Sequence, residues 1–249
     1  MSGGITQLFY LSDISAKEVT LGEEESGHVI RVLRLREDDP IWLVDGKGTL
    51  AEAAILTPHP KKCVVRITSV TSHFEKRNYR FHLAVAPTKN SDRMEWLVEK
   101  ATETGLDEFT PLLCRHSERR QFQTARLQKV AVSAMKQSLK AYLPVIGDLV
   151  AFEKFVSQPL PGEKFIAHCR SGEKPHLFNC ISQGEEVVVL IGPEGDFSPE
   201  EISLALQNGF QEISLGSSRL RTETAALSAC FIAAVKNEAQ TTSDSIFAK

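Results

Sequence analysis

Two glycine-bearing loops near the end of the chain carry the residue types best suited to chemistry. The first, Ile191-Gly192-Pro193-Glu194-Gly195-Asp196-Phe197, places two carboxylates among two glycines and a proline. Glycines let a backbone approach a ligand closely, and the proline stiffens the loop. The plainer alternative is a tight turn whose glycines serve geometry only. The segment matches neither a P-loop nor a dinucleotide fingerprint. The second, Leu215-Gly216-Ser217-Ser218-Arg219-Leu220-Arg221-Thr222-Glu223-Thr224-Ala225-Ala226-Leu227, sets Arg219 and Arg221 just ahead of a predicted helix. Thr222 or Thr224 can cap that helix, and Glu223 suits its positive first turn. An arginine there opposes the helix dipole, which points to a task outside helix stability.

A third segment runs from Pro87 to Gly105 and contains Lys89, Arg93 and Lys100, cations able to meet phosphate or a substrate carboxylate. Glu99, Lys100 and Glu103 read more simply as helix-spaced surface pairs, and Arg93 is kept as the functional candidate. Arg115-His116-Ser117-Glu118-Arg119-Arg120 forms a short basic cluster further on.

The elements that must position these residues follow from periodicity. Residues 41–44 and 49–56, joined by Asp45-Gly46-Lys47-Gly48, read as a hairpin; residues 63–70 read as another strand, and 28–33 as one short helix. This is a small, mostly β module, assigned to residues 1–72. A polar linker is placed at 73–78, and residues 79–249 form the second domain. There, strands at 80–86, 109–113, 164–169, 185–191 and 211–215 alternate with helices at 91–104, 125–141 and 222–238. Ser198-Pro199-Glu200-Glu201 opens another helix with a capping box, and Gly209 ends it. Strand–helix alternation implies an α/β fold with a parallel sheet covered on both faces. The carboxyl ends of such strands are where ligands bind, and both glycine loops fall there. On the last helix, Leu227, Cys230, Phe231, Ala234 and Val235 are predicted to share one face, either core or a subunit interface.

Bulk properties narrow the class. The 249 residues are 42% hydrophobic and 24% charged, an ordinary globular composition. No apolar run is long enough to span a bilayer, and the N-terminus lacks a secretory layout; a cytoplasmic protein without membrane association is expected. The opening Met1-Ser2-Gly3-Gly4-Ile5-Thr6 precedes the patterned sequence and reads partly as an addition to the native chain. The five cysteines are odd in number and contain no C-x-x-C pair, so neither a disulfide framework nor a metal site is expected. His82 and His168 are expected to pack in strands. The net charge of −3 hides an asymmetry: residues 1–72 carry 8 basic and 10 acidic groups (−2), 73–140 carry 13 and 8 (+5), and 141–249 carry 8 and 14 (−6). A locally concentrated positive charge is what phosphate contact requires.

The motifs KNSDRMEWLVEKATETG, RHSERR, IGPEGDFSPEEI and LGSSRLRTETAAL, in this order and with HVIRVLRLREDD near the start, resemble the SPOUT-class methyltransferases that modify N3 of a uridine in small-subunit (16S) ribosomal RNA. The resemblance covers nearly the whole chain and implies an N-terminal PUA-like β-barrel for RNA docking. It also implies a C-terminal SPOUT domain with a deep trefoil knot, an exception to the usual avoidance of threading. S-adenosyl-L-methionine is the implied cofactor, a homodimer the implied assembly, and ribosomal RNA or the 30S subunit the implied partner. Carried onto this chain, cofactor contacts fall to Leu190, Ile191, Gly192, Pro193, Glu194 and Gly195 in the first loop. In the second they fall to Leu215, Gly216, Leu220, Arg221, Thr222 and Ala225. RNA contacts fall to Arg31, Arg34, Lys89, Arg93, Arg115, Arg119 and Arg120. Where relatives often read E-Q-S-x-R, this chain has Lys136-Gln137-Ser138-Leu139-Lys140, and Gly216 is followed by Ser217-Ser218 rather than proline or arginine.

The chemistry this implies is alignment of a nucleophile with a sulfonium methyl group. Uracil N3 carries a proton at neutral pH, so it needs a base or stabilised charge on the uracil oxygens. Arg221 is the expected charge stabiliser. Glu194 is the first candidate for base or base-positioning group, and Glu223 the second. N3 lies on the pairing edge, so the target base must be unpaired or flipped out. A SPOUT enzyme for a different RNA base, and a non-catalytic RNA-binding protein of ribosome assembly, remain the competing readings.

Overall fold

The computed structural model describes residues 5–238; Met1–Gly4 of the opening segment lie outside the described residues. The chain forms two compact units. Among the described residues, the first runs to Lys76 and takes in Val132–Leu143; the second comprises Arg77–Ala131 and residues 144–238.

The first unit holds β1 (Leu8–Tyr10), β2 (Glu18–Thr20), α1 (Glu23–Gly27), β3 (Pro40–Val44), β4 (Leu50–Thr57) and β5 (Val64–Thr71). The strands join in the order β1-β3-β4-β5-β2, with β1 parallel to β3 and the other pairs antiparallel. Phe9, Leu21, Val29, Leu43, Ile55 and Val65 fill its core. The helix expected at 28–33 is instead a π-helical turn, His28–Val32, continuing α1, with the Leu33 amide donating to the His28 carbonyl at 3.0 Å. Arg31 and Arg34 emerge there on the surface, and Arg34 takes a left-handed φ of 58°. Lys136 donates to Glu25 Oε1 at 2.5 Å, with both side chains largely buried. Lys136 is thus an internal ion-pair partner of this unit.

The second unit contains β6 (Arg80–Val85), α2 (Ser91–Thr104), β7 (Glu108–Leu113), the start of α3 (Ala125–Gln137), β8 (Val145–Ile146), β9 (Val150–Ala151), α4 (Phe152–Val156), β10 (Glu163–Ala167), α5 (Leu177–Cys180), β11 (Glu186–Ile191), α6 (Pro199–Gln207), β12 (Gln211–Ile213) and α7 (Thr222–Glu238). The short elements β8, β9, α4 and α5 carry too few residues to show a period. The sheet order is β12-β10-β11-β6-β7-β8, and every pairing is parallel. Sequence order and spatial order therefore differ: β11 lies between β10 and β6. Parallel strands covered on both faces read as unbroken apolar runs, and Val187, Val188, Val189, Leu190 and Ile191 of β11 are all buried. One face packs Val188 and Leu190 against Phe152, Phe155 and Phe197. On the helix side, α7 packs against α2, β6 and β11.

Helix ends follow the local chemistry. Asn90 accepts the Asp92 amide to cap α2, and Gly105 closes it at φ 99°. Ser198 and Glu201 form the expected capping box of α6. Thr222 does not cap α7; its hydroxyl donates to the Gly192 carbonyl at 3.1 Å. The buried face of α7 is Ala226, Ala229, Cys230, Ala233 and Ala234, whereas Phe231 and Val235 turn outward at 51% and 54% exposure. The expected single face is corrected accordingly: alanines permit the close helix contact, and the large side chains are left outside.

His82 of β6 sits at the amino ends of the strands, where Arg80, Glu108 and Glu186 line a cavity of about 390 Å³. This cavity lies at the other end of the strands from the glycine loops. Burial, and secondarily Arg80, pushes His82 down to about 4, while burial pushes Glu108 up. At neutral pH the 3.7 Å approach of Glu108 to Nδ1 is therefore contact with a neutral ring rather than an ion pair. The unfolded chain, with histidine near 6.5, takes up the proton first as pH falls. Stability is thus full at neutral pH and lost progressively between about 6.5 and 4, by about 3 kcal/mol in the limit. Urea titrations at several pH values should show a steeper acid loss for the native chain than for His82→Gln; identical slopes would remove His82 as the source.

Among the described residues no helix is long and apolar enough to cross a membrane, and no group of His, Cys, Asp or Glu is clustered to hold a metal ion.

Candidate active site at the carboxyl ends of the parallel strands

Five loops leave the carboxyl ends of β6, β7, β10, β11 and β12. The loop after β11 is their hub. Gly192 and Pro193 are buried, while Glu194 and Gly195 are exposed. Phe197 anchors the loop from below, fully buried, its ring 5.3 Å from that of Phe152. A side chain at Gly192 would come within 3.1 Å of the Phe197 ring, so glycine is what allows the loop to fold down over it. Asp196 adopts a left-handed φ of 64° and accepts the Phe197 amide on Oδ1 and the Cys169 amide on Oδ2, at 2.8 and 2.9 Å.

The neighbouring loops are tied to this hub by polar contacts. From β6, the Lys89 amide donates to Glu194 Oε1 at 3.2 Å. Arg119 Nε in turn donates to the Lys89 carbonyl at 3.2 Å. From β7, His116 Nδ1 lies 3.0 Å from the Asp196 carbonyl. The Arg115 amide donates to Glu201 Oε1, the side chain that also closes the α6 capping box. From β10, Arg170 Nη2 reaches the Phe197 carbonyl at 3.4 Å, and His168 Nε2 lies 2.7 Å from Glu212 of β12. From β12, the chain rises through exposed Gly216 to Arg221 and returns at Thr222 to bond Gly192. The two loops singled out by composition are thus in direct contact.

Charge is distributed unevenly over this surface. Lys89, Arg115, Arg120 and Arg221 are exposed, although Lys89 pairs with Glu118 at 3.4 Å and Arg115 with Glu200 at 2.9 Å. No ion pair or hydrogen bond holds the Arg221 guanidinium among the described residues. Arg93 is committed elsewhere: its Nε lies 3.6 Å from Glu223 Oε1. Burial pushes the thiols of Cys114 and Cys230 up, and a protonated thiol is a poor nucleophile.

Residues 75–234 match the RNA methyltransferase domain family, and residues 21–68 match the RNA methyltransferase PUA domain family. Ribosomal RNA small subunit methyltransferase E of Synechocystis is 30% identical over 213 residues, covering 83% of this chain and 69% of that protein. This chain belongs to that RNA methyltransferase family. A probable rRNA-methyltransferase of Porphyromonas gingivalis is similar in structure, at 40% identity and a TM-score of 0.87, over 94% of this chain and 99% of that one. Another is the ribosomal RNA small subunit methyltransferase E of Neisseria gonorrhoeae bound to S-adenosyl methionine, at 26% identity and a TM-score of 0.81, over 92% and 96%.

Within this family frame, the structure brings together Gly192, Pro193, Glu194, Gly195 and Thr222, with Leu190 and Ile191 buried in the strand beneath. Lys89, Arg115 and Arg119 join the same end of the sheet, whereas Arg31 and Arg34 belong to the first unit. Sequence reasoning missed the loop after β10, with His168, Cys169 and Arg170, and the structural role of Asp196. The available signal was the abrupt polar stretch His168-Cys169-Arg170-Ser171-Gly172 following an apolar strand.

Proposed function

We propose that this protein transfers a methyl group from S-adenosyl-L-methionine to N3 of a uridine in small-subunit ribosomal RNA, using the loops after β11 and β12. The observation that carries the reading is the Thr222–Gly192 hydrogen bond, which closes the two loops on each other beside an Arg221 with no side-chain partner among the described residues. The residues suit the cofactor. Among the described residues nothing stands within 4 Å of the position a side chain would take at Gly216. Leu215 and Leu220 are half-buried. Leu190–Gly195, Leu215, Gly216, Leu220, Arg221, Thr222 and Ala225 would hold it; bound there, it supplies an electrophilic methyl group. The same reading takes these two loops as part of a trefoil knot.

The protein's own contribution is alignment and charge. Arg221 is available to face the uracil oxygens and stabilise the negative charge left when N3 loses its proton. Glu194, tied to the Lys89 amide, orders the first loop. Lys89, Arg115, Arg119 and Arg120 offer cations to phosphate at this end of the sheet, and Arg31 and Arg34 do so in the PUA domain. Nucleoside mass spectrometry of small-subunit RNA from cells with and without the gene is the deciding experiment. Loss of 3-methyluridine is expected; loss of a different methylated nucleoside would correct the target, and no change would overturn the activity.

The same reading makes the enzyme a homodimer through α7. Phe231, Val235 and Phe178 form an outward apolar patch at 51%, 54% and 39% exposure. Large contiguous apolar surface usually marks an interface. Phe231→Glu should convert a dimer to a monomer in sedimentation equilibrium; a native chain that sediments as a monomer would refute the assembly.

A further inference from the structure

Glu223 stands in the first turn of α7 with its side chain only 9% exposed. A carboxylate removed from water ordinarily has both oxygens satisfied. Here Oε1 has only an ion pair, with Arg93 Nε at 3.6 Å, beyond hydrogen-bonding distance. The other, Oε2, is buried with no hydrogen-bond partner among the described residues. The fold therefore holds a buried acceptor that it does not use for itself.

Its location gives that acceptor a purpose. Thr222, the preceding residue, is bonded to the Gly192 carbonyl in the loop after β11. Arg93 belongs to the first turn of α2, at the end of the loop after β6. In the sheet, β6 and β11 are neighbours. Glu223 thus lies where the loops after β6, β11 and β12 converge, next in chain to Thr222 and two residues from Arg221. Glu194, the other carboxylate of the site, is exposed and already accepts the Lys89 amide.

We propose that Glu223 Oε2 is the proton acceptor for the imino N–H of the target base, and that Arg93 is the positioning residue that orients the carboxylate through Oε1. This rests on the methyl-transfer reading given above. The N3 proton moves to Oε2, and the electron pair of the broken N–H bond stays on the base. That pair forms the new N–C bond to the methyl carbon supplied by S-adenosylmethionine. The C–S bond breaks with its electrons going to sulfur, which leaves as the neutral thioether. The proton on Oε2 is then released to solvent. Arg93, named above among the cations that could hold RNA phosphate, is reassigned to this inward task.

Single-turnover methylation of 30S subunits by Glu223→Gln tests the assignment, together with calorimetry of cofactor binding and a thermal melt. At neutral pH the rate should fall at least about 100-fold, the usual contribution of a positioned base. It should recover about tenfold for each pH unit of rise, because solvent then ionises the base in place of Glu223. Cofactor affinity should stay within about threefold of native, within the effect of a lost neutral contact. Arg93→Ala should lower the rate with cofactor affinity intact, and Arg93→Lys should restore part of it. Two results would overturn the proposal. One is a Glu223→Gln rate near native. The other is a cofactor affinity that collapses while the rate at saturation survives, which would give Oε2 to the cofactor. If Glu223→Gln fails to fold, Glu223→Asp and the Arg93 pair carry the same comparison. A native enzyme that makes no 3-methyluridine would instead refute the functional reading itself.

Discussion

Replacing Arg221 with alanine is expected to lower turnover about 100- to 1,000-fold, the range seen when one donor to a developing anion is removed. Cofactor affinity should fall far less than turnover, and the unfolding midpoint should barely move. The side chain is exposed, with no ion-pair or hydrogen-bond partner among the described residues, so the fold gains little from it. It also precedes the first turn of α7, where the helix dipole disfavours a cation. An arginine kept at a position that favours neither packing nor electrostatics is one whose interaction forms with a ligand. Steady-state kinetics on small-subunit RNA, paired with calorimetry, separates the roles. A loss in kcat that far exceeds the loss in cofactor affinity supports charge stabilisation, and turnover equal to the native enzyme would remove Arg221 from the chemistry.

The second large effect lies one layer below the site. Phe197→Ala should destabilise the protein by about 3–5 kcal/mol, typical of a buried aromatic truncated to alanine. Phe197 is fully buried, packs on Phe152 and fills the space beneath Gly192. Against a total stability of about 5–15 kcal/mol for a typical domain, that is a substantial fraction. The cavity would also remove the support of the loop after β11, so cofactor affinity should weaken more than tenfold even where the chain remains folded. Denaturant titration should show a lower midpoint with an unchanged slope, and calorimetry at low temperature would report the binding loss. A variant that is destabilised yet binds normally would show that the loop holds its shape through the Asp196 and Glu194 hydrogen bonds alone.

These two residues also mark how far the sequence could be read. The loops carrying Glu194 and Arg221 were legible because glycine, proline and out-of-place charge are local signals. So were the capping box at Ser198–Glu201, the left-handed stop at Gly105 and the apolar run of β11. Each depends on residues within one turn or one strand, and short-range chemistry decides it. The π-helical continuation of α1 and the outward turn of Phe231 were not legible. The first depends on a hydrogen bond spanning five residues, and the second on which stripe of α7 the neighbouring elements cover.

By itself, then, the amino-acid sequence determined the alternation of strands and helices, the two glycine loops and the family to which the chain belongs. Tertiary structure alone decided which distant groups meet. Val132–Leu143 joins the N-terminal unit, giving Lys136 a partner in Glu25. Asp196 reaches the Cys169 amide, and Arg93 turns to Glu223 across 130 residues of chain. For the last two the physical reason is the strand order, which seats β11 between β10 and β6. Hydrophobic periodicity specifies a face to bury but not the neighbour that buries it, so the site's long-range pairings exist only once the sheet has assembled.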